Sequence, residues 1–282
     1  MIIGTSSYSF SQCIAKGQMS QSDTIKKAAE LGYEAIEFTA LNPEGDMSQI
    51  EYAKILRKLA EDNGILISAY AVGGNVALSD ENALKNEIER LKGCVDVAAE
   101  LGAKYMRHDV MGNYIDFPSF DAALATSAKA AREITEYAQS KGVMTLVENH
   151  GQVCQDPDRI ERLIAAVNHK NYGLLLDTGN FMCADVSPVY AASRLAHLAK
   201  MVHVKDAKIV PFGTKTEYNL YETRGCNKLD FVTAGTGDAN LPQVFAILKK
   251  AGFDGHIDVE YEGRADCLEA LGQSIVNINN MI

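Results

Sequence analysis

The chain lacks several things that would place it in a class at once. No apolar run approaches the ~18 residues a membrane-crossing helix needs, which leaves no membrane partner to expect. The six cysteines (Cys13, Cys94, Cys154, Cys183, Cys226 and Cys267) stand singly, with no C-x-x-C pair. That spacing speaks against structural zinc and, in a chain of 282 residues, reads as reduced thiols of a cytoplasmic protein. Positive charge is scarce: 27 Lys and Arg face 37 Asp and Glu, for a net charge of -10. Such a balance gives phosphate backbones no basic face, so no nucleic-acid partner is expected. A glycine-rich nucleotide fingerprint is missing, as are linkers and low-complexity stretches, so one domain over 1–282 is the simplest organisation. The strand-like run Met1-Ile2-Ile3-Gly4-Thr5 has no basic segment before it, which fits the cytoplasmic expectation. Tryptophan is absent too, and that excludes nothing.

What is present is a recurring phrase. Ala28-Ala29-Glu30-Leu31-Gly32 precedes Ala35-Ile36-Glu37-Phe38, and Ala98-Ala99-Glu100-Leu101-Gly102 precedes Lys104-Tyr105-Met106-Arg107. Gly64, Gly142 and Gly252 close similar helical stretches before apolar runs. Each phrase predicts a helix ended by a glycine in the left-handed region and a tight turn into a buried strand. Upstream, Ile50, Ala53, Ile55, Leu56 and Leu59 share one helical face, as do Ile88, Leu91, Val95 and Ala98. Eight strands are expected, at about 2–8, 34–38, 65–70, 104–108, 143–148, 172–177, 201–205 and 256–260. Eight βα units of roughly 30–40 residues make a closed (β/α)8 TIM barrel rather than an open doubly wound sheet. The seventh unit is irregular. Residues 207–236 read as a long loop of little periodicity, and at the functional end of a barrel such a loop is a lid, a pocket wall or an oligomer contact.

Four of the strand ends carry chemistry. Glu148 follows Val143–Val147, Asp177 follows Leu174–Leu176, His203 follows Met201-Val202, and Glu260 follows His256–Val259. Singly, each is ordinary: a strand-end carboxylate is exposed or ion-paired, Asp177-Thr178-Gly179 makes a turn or a helix cap, and His203 sits satisfied in a core. Together, on strands five to eight, three carboxylates and an imidazole supply a divalent metal with oxygen and nitrogen ligands and leave positions open for substrate. Mn2+ fits best, with Mg2+, Co2+ and Zn2+ compatible. A metal that holds two adjacent substrate oxygens acidifies the C–H between them, and Glu148 or Glu260 can take that proton.

The stretches Leu146-Val147-Glu148-Asn149-His150, Leu175-Leu176-Asp177-Thr178-Gly179-Asn180, Val202-His203-Val204-Lys205-Asp206 and Ile257-Asp258-Val259-Glu260-Tyr261-Glu262-Gly263 resemble the xylose-isomerase-like TIM-barrel superfamily. That group includes sugar phosphate isomerase/epimerase-like proteins, ketose 3-epimerases, inosose dehydratase and endonuclease IV. The resemblance spans nearly the whole chain and implies metal ligation by Glu148, Asp177, His203 and Glu260. Asn180 stands where endonuclease IV would carry a further zinc ligand, and the Asp-x-His pair after His203 is lacking. Ketose 3-epimerases follow the strand-seven histidine with a substrate-holding arginine, whereas here Lys205 and Lys208 are the nearby cations.

Further candidates face the same mouth. His108 ends strand four and His150 lies two residues past Glu148; either is a proton carrier or a hydrogen-bonded rim histidine. Lys205 grips a substrate oxygen or pairs with a neighbour such as Asp206. Glu37, Tyr8 and Arg224 offer hydrogen bonds to a sugar or polyol or simply line the rim, and Glu262 shares parity with Glu260. The leading expectation is a metal-dependent sugar isomerase or epimerase acting next to a carbonyl. A lyase on the same scaffold begins with the same proton abstraction and then expels a group, with His108 or His150 as acid. A non-catalytic sugar-binding barrel or assembly subunit needs no such ligand set. A homo-oligomer is compatible with all three.

Overall fold

The aliphatic runs become strands because they are buried on both faces. In the computed structural model, which describes residues 1–43, 45–113 and 115–282, all six residues of the run Tyr172–Asp177 are buried. The strands are β1 (Ile2–Ser6), β2 (Ala35–Thr39), β3 (Leu66–Val72), β4 (Tyr105–His108), β5 (Met144–Glu148), β6 (Tyr172–Asp177), β7 (Ala199–Val204), β8 (Asp206–Val210), β9 (Tyr221–Glu222), β10 (Lys228–Val232) and β11 (His256–Val259). Between them run α1 (Ser11–Ala15), α2 (Asp23–Glu30), α3 (Gln49–Asp62), α4 (Glu81–Leu101), α5 (Phe120–Ser140), α6 (Pro157–Val167), α7 (Thr178–Cys183), α8 (Pro188–Leu195), α9 (Leu241–Lys250) and α10 (Cys267–Asn279). The expected glycine stops are in place, with Gly32, Gly64, Gly102, Gly142 and Gly252 all at positive φ. At the other end of α3, Ser48 and Glu51 form a reciprocal capping box.

Eight strands close into a parallel barrel in the order β1-β11-β7-β6-β5-β4-β3-β2. This is the expected (β/α)8 architecture, a single TIM barrel. Register places Asp258 beside both Gly4 and His203. A β-carbon at Gly4 would lie 2.3 Å from Asp258 Oδ1, so only glycine fits there. By internal contacts the chain groups into Ile36–Leu175 and a second set made of Met1–Ala35 with Leu176–Ile282. The first packs around Ile36, Phe38, Leu56, Tyr70, Leu91 and Met106; the second around Phe10, Ile25, Phe181 and Phe245.

The stretch 207–236, expected as a long loop, is partly a small antiparallel sheet in the order β8-β10-β9. Leu229 pairs with Ile209 on one side and Tyr221 on the other. The alternation of Lys228-Leu229-Asp230-Phe231-Val232 is a half-buried strand pattern, and Tyr221 meets Phe231 edge-on with ring centres 6.2 Å apart. Asp206, rather than pairing with Lys205, anchors this excursion. Its Oδ1 accepts the Ala207 and Ala239 N–H groups at 3.0 and 3.1 Å, and its Oδ2 those of Gly235 and Gly237 at 2.9 and 2.8 Å. Removing the carboxylate strands several part-buried donors, and each hydrogen bond to a charged group contributes about 1.5–3 kcal/mol. Asp206→Ala is therefore expected to destabilise the protein by at least ~3 kcal/mol, a fall of roughly 6 °C or more in Tm. An unchanged thermal melt would refute the anchoring role.

Candidate metal centre

Asp177-Thr178-Gly179-Asn180 turns β6 into α7, and each residue has a geometric task. Asp177 caps the helix through Oδ1, which accepts the Asn180 N–H at 2.7 Å, leaving Oδ2 on the side of His203. Thr178 Oγ1 donates to the Lys205 carbonyl at 2.7 Å and accepts the Lys205 N–H at 3.1 Å, tying the ends of β6 and β7 together. Gly179 makes room for the Lys205 stem: a β-carbon there would lie 2.5 Å from Lys205 Cγ. Asn180 Oδ1 accepts from the Lys205 ammonium at 3.2 Å.

Lys205 is the hub of this set. Its Nζ, buried with the rest, lies 2.7 Å from Glu260 Oε2, 2.8 Å from Glu262 Oε1 and 3.4 Å from Asp177 Oδ2. His203 Nδ1 stands 3.7 Å from both Asp177 Oδ2 and Glu260 Oε2. Those spans are too long for hydrogen bonds, yet they suit ligands that each reach ~2.1 Å to a shared ion. Glu260 follows β11 directly and is placed by its N–H donating to the Val204 carbonyl at 3.1 Å. Tyr8, on the short turn after β1, is half exposed. Its hydroxyl is pushed up by burial and then by the charges of Glu262 and Glu260, which puts it beside this cluster.

The other set is built on β4 and β5. Glu148 ends β5, buried, and its Oε2 pairs with Arg107 Nε at 2.7 Å. Arg107 also donates through Nη1 to the Val72 carbonyl at 3.1 Å and lies 3.4 Å from Asp109 Oδ1. Asp109 in turn bonds His150 Nδ1 at 3.0 Å. Burial opposes ionisation of Asp109, but Arg107 and His150 together outweigh it and hold its carboxyl below the usual range. His150 is raised, first by that hydrogen bond and then by the nearby carboxylates, against the opposing effect of burial.

His108 departs from expectation. Successive strand residues point to opposite faces, so with Arg107 turned toward Glu148, His108 faces away from it. Its ring feels Glu87 of α4, its Nδ1 bonds the Asp109 carbonyl at 3.0 Å, and complete burial pushes its pKa down. It is a neutral histidine of the helix-facing layer rather than a group at the mouth. Glu37 sits mid-strand in β2, fully buried, instead of at the strand's end. Arg224 is exposed on the turn between β9 and β10, where its charge acts on Asp185 and Tyr221. Burial pushes the thiols of Cys154 and Cys183 up to about 12, so neither is a nucleophile at neutral pH. Arg107 and Asp109 escaped the sequence reading, although a charged residue one place before His108, inside a buried strand, was the available signal.

Glu148, Asp177, His203 and Glu260, all buried, offer ligand atoms that lie within 4.8 Å of one another. Buried carboxylates need cations beside them; Lys205 and Arg107 supply two, and the donor set of three carboxylates and one imidazole is one a divalent ion also takes. Gly179→Ala is expected to displace the Lys205 stem at a cost of about 1–3 kcal/mol for overpacking. A crystal structure of the variant with Lys205 unmoved would contradict this.

The fold and site define a class: (β/α)8 barrels whose last four barrel strands, here β5, β6, β7 and β11, present a carboxylate–histidine cluster at their ends. Within it, the chain belongs to the xylose isomerase-like TIM barrel family, whose profile matches residues 25–277. It is similar to the inosose dehydratase of Geobacillus thermodenitrificans, at 24% identity over 221 residues, 74% of this chain and 73% of that protein. Among solved structures it resembles D-psicose 3-epimerase of Clostridium cellulolyticum, with a TM-score of 0.77 at 16% identity over 100% of this chain and 99% of that one. It also resembles the IolI protein, whose structure holds a zinc atom, with a TM-score of 0.75 at 18% identity over 100% and 98% of the two chains. Inosose dehydratases and sugar 3-epimerases are thus among the proteins it resembles. No helix among the described residues is long and apolar enough to cross a membrane.

Proposed function

We propose that the protein is a metal-dependent lyase that removes the proton next to the carbonyl of a neutral keto-sugar or keto-polyol and expels the group on the adjoining carbon. The observation that carries this reading is the His150–Asp109 pair two residues beyond Glu148. Epimerisation needs two proton carriers on opposite faces of one carbon, and Glu148 and Glu260 suffice for it. Elimination also needs an acid for the leaving oxygen. Asp109 holds His150 through Nδ1, leaving Nε2 as the ring atom that meets substrate. The similarity to inosose dehydratases supports the same outcome.

Glu148, Asp177, His203 and Glu260 would hold the ion, most simply Mn2+, which when bound polarises the substrate carbonyl and stabilises the enolate formed on proton loss. Glu260, with Lys205 2.7 Å from its Oε2, takes the proton from carbon. Lys205, shared with Glu262, orients Glu260 and donates to a substrate oxygen. Arg107, 2.7 Å from its Oε2, holds Glu148 in place. Tyr8 lines the entrance beside Glu262. Carboxylates outnumber cations here, which disfavours a phosphorylated substrate.

The second reading is an isomerase or epimerase, favoured by the likeness to D-psicose 3-epimerase and by the two glutamates. Proton NMR in D2O with ketohexoses and keto-inositols, after reconstitution with each divalent ion, separates the two. A lyase yields an unsaturated ketone; an epimerase yields deuterium at the neighbouring carbon with inversion and no loss of water. His150→Ala is expected to keep deuterium exchange and lose elimination by at least ~10²-fold. No exchange on any substrate would sink proton abstraction altogether.

A further inference from the structure

Two carboxylate oxygens of the cluster are claimed from two sides. Asp177 Oδ1 is spent on the Asn180 N–H, so Oδ2 is the atom left to the cluster. That atom lies 3.7 Å from His203 Nδ1 and 3.4 Å from Lys205 Nζ. Glu260 Oε2 likewise lies 3.7 Å from His203 Nδ1 and 2.7 Å from Lys205 Nζ. An ion that takes Asp177, His203 and Glu260 on this side draws on the same oxygens as the ammonium. Each cation then weakens the hold of the other, because like charges repel and the negative potential is shared.

The lysine is not free to leave. Thr178 Oγ1 bonds both its N–H and its carbonyl, and its stem passes over Gly179, where a β-carbon would stand 2.5 Å from Lys205 Cγ. It has other oxygens to lean on, Glu262 Oε1 at 2.8 Å and Asn180 Oδ1 at 3.2 Å, and neither residue belongs to the four-residue ligand set. Charge allows both cations at once. Asp177, Glu260 and Glu262 surround one ammonium, a formal excess of two negative charges, which is the charge of one divalent ion. We infer that Lys205 sets how tightly the cluster holds its ion: the ammonium competes for Asp177 Oδ2 and Glu260 Oε2, and Glu262 takes the ammonium up when the ion enters. This competition rests on the reading of the cluster as a metal centre, given above. It makes the ion exchangeable, and it makes Glu262 a control on metal affinity from outside the ligand set.

Titration calorimetry of the chelator-treated full chain with Mn2+ tests this without any substrate. Lys205→Met is expected to bind Mn2+ at least ~10-fold more tightly than the parent, since a like charge and a competitor are both gone. A lysine that only shaped the site would have the opposite effect, its loss loosening the cluster and weakening the ion. Lys205→Gln keeps a donor for Glu260 and answers the same question should Met at this buried place prevent folding. Glu262→Gln is expected to weaken Mn2+ by at least ~5-fold in the parent and by less than ~2-fold in the Lys205→Met background, because Glu262 acts through the lysine. Mn2+ bound by the parent and no more tightly by the lysine variants overturns the competition and leaves the metal centre standing. Equal costs of Glu262→Gln in the two backgrounds overturn the uptake of the ammonium by Glu262. A parent that takes up no Mn2+ overturns the competition and the metal centre together.

Discussion

Glu260→Gln and Glu148→Gln are each expected to lower turnover roughly 10²–10⁴-fold while the barrel stays folded. Glutamine keeps the shape of glutamate and removes the charge that binds an ion and accepts a proton. The two variants should differ in secondary effects. Glu260 faces Lys205, which Glu262 and Asp177 also hold, so its loss leaves that ammonium with partners. Glu148 faces Arg107, whose contact with Asp109 is longer, at 3.4 Å. Glu148→Gln is therefore expected to lose more stability than Glu260→Gln, with both losing metal affinity by titration calorimetry. Near-normal turnover in either variant with metal still bound would remove that glutamate from the proton path.

Arg107→Met is the second large effect, this time on stability. The swap keeps an unbranched stem but leaves Glu148 and Asp109 buried with no guanidinium between them. Breaking a buried pair by removing one partner costs about 3–5 kcal/mol. In a protein of this size the expected fall in Tm is roughly 6–15 °C without added metal. A divalent ion held at the cluster would compensate Glu148 in the folded chain alone, so Mn2+ should recover part of the loss. Arg107→Lys should fall between, since an ammonium keeps the charge but not the fork that also reaches the Val72 carbonyl. Arg107→Met that melts with the parent would show the ion pair to be dispensable.

Much of this was readable from sequence because it is local. A glycine at positive φ after a helix and an aliphatic run after the glycine are nearest-neighbour signals, and they placed all eight barrel strands. The cluster of Glu148, Asp177, His203 and Glu260 was legible for the same reason, as each is the charged end of an apolar run. What escaped depends on side-chain direction. His108 and Arg107 are adjacent, and which of them faces Glu148 is a question of strand parity that the end of a four-residue run does not fix. Asp109 matters only through partners on β4 and in the segment after β5. Lys205 was recognised, but its partners Glu260 and Glu262 lie more than fifty positions away in sequence, and the adjacent Asp206 looked the simpler match. The sheet within the excursion was not legible although Lys228–Val232 alternates, because β9 is two residues long and gives no periodicity of its own.

Lys205 and Asp206 are neighbours whose side chains serve opposite ends of the molecule's needs. One carries its charge inward to Glu260; the other gathers the amides of Gly235, Gly237 and Ala239. Insertions and deletions beyond Asp206 are thereby uncoupled from the chemistry. The segment from 207 to 234 can lengthen, shrink or be exchanged in the course of descent, and as long as its two ends return to that carboxylate, the lysine one step earlier keeps its aim. The length of the excursion and the aim of the lysine then become separable traits, divided at a single peptide bond.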